Sequence, residues 1–247
     1  MCALMAGLAA LDITTTARAQ DWSAVVVPEP SASRREMWFG AETSVNSWSA
    51  YTGVTFAPFG PIGGDGWRMR IVGGYGAYNS EALRDISGKF RSKTFRGTVS
   101  FADALVGYQM QYSPLTLKVL AGISAVDHHV MPFDAEHALI GPDLGFKGMI
   151  EAWLDMNERN WASLNLSWSS ARDSYASRLR YGLTVWPETS FGLEAAATGD
   201  AGYGGGRGGA FVRHTWGNGE IAASGGPSVD STMTLGAYGT FNVLTRF

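Results

Sequence analysis

The sequence predicts an all-β protein, an antiparallel transmembrane β-barrel of about 12 strands whose C-terminal strand closes on the first. Three observations lead to this fold class. Apolar and polar residues alternate along many segments, most segments approach the ~9–11 residues that cross a membrane at a tilt, and short turns alternate with longer connections. The composition agrees, because Gly 32 and 12% aromatic residues suit twisted strands with one apolar face.

The N-terminal residues are predicted to direct export. Residues 1–20, MCALMAGLAALDITTTARAQ, contain an apolar run and then Ala-Arg-Ala at 17–19, the A-x-A pattern of a signal peptide. A disordered or weakly helical tail is the alternative. Residues 21–36 hold prolines without periodicity and are predicted to be a leader or periplasmic tail. Cleavage would remove Cys2, the single cysteine, so the barrel domain at 37–247 would have no thiol chemistry.

Twelve strands are predicted along residues 37–247. The clearest alternation is WASLNLSWSS, in which Leu164, Leu166 and Trp168 share one face while Ser163 and Asn165 share the other. The predicted spans are Met37–Val45, Ser47–Ala57, Gly66–Tyr78, Thr94–Tyr112, Leu115–Val126, Asp143–Met156, Asn160–Ser170, Tyr175–Trp186, Ser190–Thr198, Gly208–Trp216, Gly219–Gly225 and Leu235–Phe247.

Periodicity alone leaves two all-β folds open. In a soluble sandwich the apolar faces form the core, whereas in a membrane barrel they face lipid and the polar faces line the lumen. Short turns at 113–115, 157–160, 186–189 and 217–219 contrast with longer loops at 79–93, 127–142 and 199–207, which favours the barrel. Aromatic residues near strand ends also fit a membrane–water interface: Trp38, Trp48, Trp67, Tyr78, Tyr112, Trp161, Tyr175, Trp186 and Trp216.

The last segment, TLGAYGTFNVLTRF, is predicted to be both the closing strand and the insertion signal. Phe241, Val243 and Phe247 fall on one face of an extended chain. Gram-negative barrels commonly end in an aromatic residue with apolar residues at alternate preceding positions, the pattern recognised during insertion into the outer membrane. Pairing of this strand with the first would leave no exposed edge.

Charged residues within the strands are the main candidate functional feature. If the alternation holds, they point into the lumen, where they either pair and plug the barrel or line a selective pore. Pairing is the favoured interpretation, because a barrel of ~12 strands need not be open. The residues are Arg68, Arg70, Lys118, Lys147, Glu151, Arg178, Arg180, Glu194 and Arg213.

No catalytic, cofactor or metal site is predicted, and we expect the protein not to be an enzyme. His128, His129 and His137 match no standard zinc spacing, and adjacent histidines on a strand point to opposite faces. A lipid hydrolase using serine with His128 or His214 would lack the G-x-S-x-G elbow. The glycine-rich segment Gly199–Gly209 is predicted to be a flexible loop, because no helix follows it to cradle phosphate. A net charge of −3 offers no attraction for nucleic acid.

Seven segments, in order along the chain, carry a resemblance to a known family. They are WFGAETSVNSWSAYTGVTFAPFG (Trp38–Gly60), VGGYGAY (Val72–Tyr78), VSFADALVGYQ (Val99–Gln109), LTLKVLAGISAVDHH (Leu115–His129), FKGMIEAWL (Phe146–Leu154), RGGAFVRHTW (Arg207–Trp216) and AYGTFNVLTRF (Ala237–Phe247). Together they resemble the alphaproteobacterial cellulose biosynthesis protein BcsS family, over nearly all of residues 37–247.

This resemblance implies an exported, Gram-negative outer-membrane component of cellulose biosynthesis, without transferring any catalytic or glucan-binding residue. The expected function is a non-enzymatic outer-membrane barrel that assists export, assembly or anchoring of the glucan. Its expected partners are outer-membrane lipid, the barrel-assembly machinery, and cellulose or other cellulose-synthesis components. A general porin-like solute channel and an outer-membrane lipid-modifying enzyme remain the alternatives.

Overall fold

The protein is a closed barrel of twelve antiparallel strands, which confirms the predicted fold class. A computed structural model describes residues 33–86, 89–131, 141–200, 204–230 and 233–247. The predicted signal peptide and most of the predicted leader lie outside the described residues. The strands are β1 (Arg35–Thr43), β2 (Ser47–Phe56), β3 (Gly66–Ile86), β4 (Lys89–Tyr112), β5 (Leu115–Met131), β6 (Gly141–Asp155), β7 (Asn160–Ser169), β8 (Ser174–Trp186), β9 (Thr189–Gly199), β10 (Gly204–Trp216), β11 (Gly219–Asp230) and β12 (Leu235–Arg246).

Closure of the barrel joins β12 to β1, as predicted. Their register runs from Glu36 opposite Arg246 to Thr43 opposite Gly239. Beyond the strand end, the Arg35 amide donates to the Phe247 carbonyl at 3.1 Å and the Phe247 amide donates to the Arg35 carbonyl at 3.0 Å. Backbone groups that would otherwise form a sheet edge are therefore paired along the whole seam.

The polarity of the wall is the reverse of that in a soluble β-protein. On β7, Leu166 and Trp168 are 39% and 52% exposed on the outside, whereas Ser163 and Asn165 are buried inside. The same inversion recurs around the barrel, and the sandwich alternative is therefore wrong. An apolar outer face of this extent is stable only against lipid. Among the described residues, no helix is long and apolar enough to cross a membrane.

Aromatic side chains mark two levels on the outer face. Trp67 and Tyr108 pack edge to face at 5.7 Å, and Trp48 and Tyr75 pack at 5.9 Å nearer the opposite end. Trp67 and Tyr75 both lie on β3, eight residues apart, which is roughly 20 Å along the barrel axis for a tilted strand. That separation is close to the apolar thickness of an outer-membrane barrel, so the two levels correspond to the two membrane interfaces.

The two ends of the barrel differ in their connections. The turn end carries both described chain termini and the predicted short turns, with two to four residues between strands at 113–114, 156–159, 187–188 and 217–218. The opposite end, called the loop end here, holds most of the predicted long loops. Strands shorten these loops: the predicted loop at 127–142 is strand up to Met131 and again from Gly141, and residues 132–140 lie outside the described part.

The predicted loop at 79–93 is wrong, because β3 and β4 stay paired up to Ile86 opposite Lys89. Among the described residues, β2 pairs with β3 only as far as Tyr78, and β5 pairs with β4 only as far as Arg96. Beyond these residues β3 and β4 continue past the barrel rim as a two-stranded ribbon. Ladder hydrogen bonds join backbone groups and need no apolar alternation, so the sequence pattern did not reveal this extension of the two strands.

The predicted flexible loop at Gly199–Gly209 is also largely strand, with residues 201–203 outside the described part. Gly204–Gly209 pair with β9 through their backbones, in a register from Gly204 opposite Gly199 to Gly209 opposite Glu194. Ladder hydrogen bonds need no side chains, so a run of glycines forms a strand here without the alternation that marks the other strands.

Glycines explain why three of the nine aromatic residues predicted at the interface point inward instead. Trp38, Tyr78 and Trp161 are only 2–4% exposed, and each ring lies over a glycine directly across the ladder. A Cβ at Gly182 would lie 2.3 Å from the Trp161 ring. Because glycine has no side chain, the ring opposite it can lie flat against the inner face of the sheet. The six cross-strand pairs are Trp38–Gly53, Tyr51–Gly40, Phe101–Gly74, Tyr78–Gly97, Trp161–Gly182 and Phe211–Gly192.

We expect Gly182→Ala to destabilise the barrel by about 1–3 kcal/mol, the usual cost of overpacking. The Trp161 ring cannot retreat, because Trp153 stacks on it with ring centroids 4.2 Å apart. The measurement is denaturant unfolding in detergent micelles, followed by tryptophan fluorescence. Gly148→Ala is the matched control, because a Cβ there meets nothing within 4 Å. Equal stability of the two variants would contradict the role given to the ring–glycine pairs.

Candidate functional site

The barrel interior is the candidate functional site, because the strand alternation delivers the charged side chains there. Eight of the nine residues predicted to face the lumen are at most 7% exposed, and the Arg213 side chain is 11% exposed. Buried charges are unfavourable unless they are paired and hydrogen-bonded. Their partners therefore decide whether the interior is open or filled.

The first group of charges, the lower charge cluster, consists of Glu36, Arg70, Lys118 and Glu151. Arg70 binds both carboxylate oxygens of Glu151, with Nη2 3.2 Å from Oε2. Lys118 Nζ lies 3.6 Å from Glu151 and 3.7 Å from Glu36. These residues come from β1, β3, β5 and β6, so the cluster bridges the lumen.

Arg70 has its remaining donors and its ring face occupied as well. Its Nε donates to Thr55 Oγ1 at 3.0 Å, and its guanidinium carbon lies 5.0 Å from the Trp38 ring centroid. A bidentate pair with further contacts is the arrangement that offsets the desolvation of two buried charges. The lower charge cluster is therefore a packed, mutually neutralising plug across this level of the barrel.

The second group, the upper charge cluster, lies nearer the loop end and consists of Glu42, Arg180, Glu194 and Arg207. Arg180 Nε donates to Glu194 Oε2 at 2.8 Å, and the Tyr238 hydroxyl donates to Glu194 Oε1 at 2.9 Å. Arg207 pairs with Glu42 and lies over the Tyr238 ring at 4.8 Å. Opposite charges again meet across different strands.

Two further ion pairs and an aromatic stack fill the space beside these clusters. Lys147 Nζ lies 2.5 Å from Asp103 Oδ2. Arg213 Nη2 lies 2.5 Å from Glu220 Oε2, and its guanidinium carbon is 5.2 Å and 5.4 Å from the ring centroids of Trp153 and Trp161. Lys147 and Arg213 are therefore each paired with a carboxylate, and Arg213 also packs against two tryptophan rings.

The segment 57–65, between β2 and β3, packs into the turn end of the barrel. Ala57 and Ile62 are 0% and 3% exposed, which is unusual for a connecting loop. Arg68 Nη2 donates to the carbonyls of Ile62 at 3.0 Å and Pro61 at 3.3 Å, and also to that of Gly64. Gln109 Nε2 donates to the Gly64 carbonyl at 3.0 Å. One buried arginine therefore holds the loop across this mouth.

The candidate histidines are dispersed. His128 is 2% exposed inside the barrel, and His129 points outward with a 70% exposed side chain. His214 lies on the outer face near the turn end, with Nδ1 3.0 Å from Thr189 Oγ1. In the described residues no three His, Cys, Asp or Glu side chains are grouped to hold a metal. His137 lies outside that part of the chain.

The residues of the predicted insertion signal lie on the outer face of the closing strand. Phe241 and Phe247 are 43% and 52% exposed, and Val243 is half-buried between them. Asn242 and Leu244, on the other face of β12, are buried in the interior.

The sequence did not reveal several of the residues that complete the ion pairs of the interior. Glu36 precedes the predicted first strand, and Arg207 falls in the segment that was expected to be a loop. Asp103 and Glu220 lie within predicted strands, and Asp103 has the inward parity of Leu105. A parity count along each strand would have found Asp103, whereas Glu36 and Arg207 required the true strand bounds.

Comparison with known proteins gives one family. The model of the family described as cellulose biosynthesis protein BcsS matches residues 36–247. No curated protein matches the sequence.

The chain is similar to several solved structures at low sequence identity. The transport unit of the autotransporter AIDA-I from Escherichia coli has a TM-score of 0.53 and 10% identity, over 90% of this chain and 92% of that chain. The KdgM porin has a TM-score of 0.45 and 9% identity, over 86% and 99%. The outer membrane protein Omp33 of Acinetobacter baumannii has a TM-score of 0.42 and 10% identity, over 87% and 98%. At 10% identity, the likeness to the AIDA-I transport unit concerns the fold alone.

A filled interior predicts that the protein reconstituted in planar bilayers shows no steady open-channel conductance. The double variant Arg70→Ala/Glu151→Ala removes a pair of opposite charges together, so Lys118 keeps Glu36 and no lone charge is buried. Because the upper charge cluster still fills the lumen, this variant alone should stay nearly closed. We expect conductance well above the wild type once the pair Arg180 and Glu194 is replaced by alanine as well.

The matched control for the conductance experiment is Glu188→Ala/His214→Ala, which removes an exposed pair with Nε2 and Oε2 3.9 Å apart. It should remain as silent as the wild type. A stable, ohmic conductance of the wild type would overturn the closed interior and favour the solute-channel alternative.

Proposed function

Because the chain belongs to the family of cellulose biosynthesis protein BcsS, we propose that it is a non-enzymatic outer-membrane barrel that assists assembly or anchoring of the glucan. The observation that carries this proposal is the combination of an apolar outer wall with an interior closed by paired charges. The first supports a location in a membrane, and the second supports a role as a scaffold rather than as a conduit.

Location in the bacterial outer membrane is supported by the shape of the wall. A closed β-barrel, like an α-helix, pairs all of its own backbone amides and carbonyls and can therefore span a lipid bilayer. Short turns at one end and longer extensions at the other match the periplasmic and extracellular sides of outer-membrane barrels. In this orientation the turn end faces the periplasm and the β3–β4 ribbon faces outward. Export is proposed to depend on the predicted signal peptide at residues 1–20.

Transport of a polysaccharide through the lumen is disfavoured by the two charge clusters. A chain in transit needs a continuous polar path of its own width, and Arg70–Glu151 and Arg180–Glu194 occupy that path. Opening it would require separating buried ion pairs, and leaving one buried charge alone costs about 3–5 kcal/mol. A role at the surface, where the glucan emerges or is retained, requires no such opening.

A non-enzymatic role is supported by the state of the buried carboxylates. Both oxygens of Glu151 accept hydrogen bonds from Arg70, and the oxygens of Glu194 accept from Arg180 and Tyr238. Carboxylates whose oxygens are occupied in this way are poorly placed to exchange a proton with a substrate. Glu188 and His214 are an exposed carboxylate and imidazole near the turn end, with Oε2 and Nε2 3.9 Å apart.

Deletion of the gene tests the proposal. We expect lower cellulose yield or altered fibre morphology, measured by dye binding and electron microscopy, with both restored by the wild-type gene. The variant Arg70→Ala/Glu151→Ala, if assembled, should also restore them, because the proposed role does not use the lumen as a passage. Unchanged yield and morphology in the deletion strain would sink the proposal.

We further propose that Phe241, Val243 and Phe247 form the insertion signal read by the barrel-assembly machinery. Replacing Phe247 with Ser should lower the amount of heat-modifiable barrel in outer-membrane fractions several-fold, since the side chain lies outward and makes little contribution to packing. Phe191→Ser is the control, because Phe191 is also outward-facing near the turn end and 43% exposed. An equal loss for both variants would show a general effect of lost apolar surface instead.

A further inference from the structure

The interior opens at the loop end into a cavity, here called the vestibule, that the functional proposal leaves unused. It has a volume of about 760 Å³ including its open mouth. Its walls come from the β1–β2 turn, from Tyr78 and from the loop-end halves of β9 to β12. Its floor is formed by two residues of the upper charge cluster, Glu42 and Arg207, and by the ring of Tyr238.

The lining of the vestibule is polar, and its ionisable residues nearly balance in charge. Hydroxyl groups come from Ser47, Thr198 and Ser228 among others. Its ionisable residues are Glu42 and Asp230, which are acidic, and Arg207, which is basic and already paired with Glu42. Because the formal balance of these three groups is negative, the cavity disfavours anionic ligands.

Two side chains on opposite sides of the vestibule hold polar atoms without a hydrogen-bond partner among the described residues. The Tyr78 hydroxyl is one, on a residue that is 3% exposed. Nε and Nη2 of Arg207 are the others, on a side chain that is 8% exposed. A buried polar atom left unsatisfied costs about 1–3 kcal/mol, so these positions favour a ligand that supplies hydrogen-bonding groups.

Both side chains are held in place before any ligand arrives. The Tyr78 ring lies over Gly97, where a Cβ would be 2.0 Å from the ring. The Arg207 guanidinium is fixed between Glu42 and the Tyr238 ring, 4.8 Å from that ring's centroid. Prepositioned donors and acceptors lower the entropy that binding must overcome.

We propose that the vestibule is a binding site for a short stretch of neutral glucan. A sugar carries several hydroxyl groups, each both donor and acceptor, which can serve the Tyr78 hydroxyl and the Arg207 guanidinium together. The absence of net positive charge among the described lining residues separates this ligand from acidic polysaccharides. The choice of a β-1,4-linked glucan rests on the proposed function in cellulose biosynthesis.

Isothermal titration calorimetry with cellopentaose tests the site. The full chain is used as a folded barrel in an amine-oxide detergent, because a glycoside detergent would offer a competing sugar headgroup. We expect saturable binding of cellopentaose. Tyr78→Phe, which removes one hydroxyl, and Arg207→Lys, which keeps the charge but removes the unpaired donors, should each weaken it roughly five- to tenfold.

Tyr75→Phe is the matched control, because Tyr75 lies on the same strand but faces outward and is 46% exposed. Its affinity for cellopentaose should equal that of the wild type. Absence of cellopentaose binding, or equal affinity in Tyr78→Phe and Tyr75→Phe, overturns the site. Equal or tighter binding of pentagalacturonate overturns the assignment of a neutral ligand.

The same variants separate this inference from the proposed function. If Tyr78→Phe and Arg207→Lys bind cellopentaose more weakly and also restore less cellulose in the deletion strain, both proposals stand. If they restore cellulose fully despite weaker binding, the vestibule has no part in the pathway, and its link to cellulose fails while the proposed function stands. If deletion changes nothing, the proposed function fails, and calorimetry alone decides the binding site.

Discussion

The rest of the structure depends on the requirement that every backbone amide and carbonyl in a lipid-facing sheet be paired. An open sheet would leave two edges exposed, and the pairing of β12 with β1 removes both. Closure then fixes which side of each strand is inside. Once the apolar face must meet lipid, every polar residue of opposite parity is forced into a narrow interior, whatever its charge.

Charge pairing in the interior follows from this geometry. A cation buried in this interior loses its contact with bulk water, so it needs acceptors from elsewhere in the chain. Arg70 and Arg180 bind carboxylates, and Arg68 binds backbone carbonyls. The pairs Arg70–Glu151 and Arg180–Glu194 connect different strands of the wall. The rings of the ring–glycine pairs lie flat against the wall, which leaves space in the lumen for these charged side chains. The network thus compensates for the lost hydration of the buried charges, and the paired side chains close the lumen.

Much of this architecture could be predicted from the sequence, and the failures have physical causes. Alternation locates a strand wherever its two faces meet different surroundings, so all twelve were found and the inward parity of Arg178 and Arg180 followed. Alternation gives no signal for the β3–β4 ribbon or for Gly204–Gly209, because backbone pairing of strands needs no apolar face. It is also silent about partners: Glu42 and Arg207 meet through the sheet register, with 165 positions between them in the chain.

The ring–glycine pairs make pairs of positions, rather than single residues, the units on which mutation acts. At Trp38–Gly53 and Trp161–Gly182, a side chain added on one strand collides with a ring that belongs to the other. A side chain at the glycine is therefore tolerated only with a compensating change of the ring at its partner position. Among related sequences, a glycine and its ring should be gained or lost together, which gives the strand register a signature in covariation that needs no structure to detect.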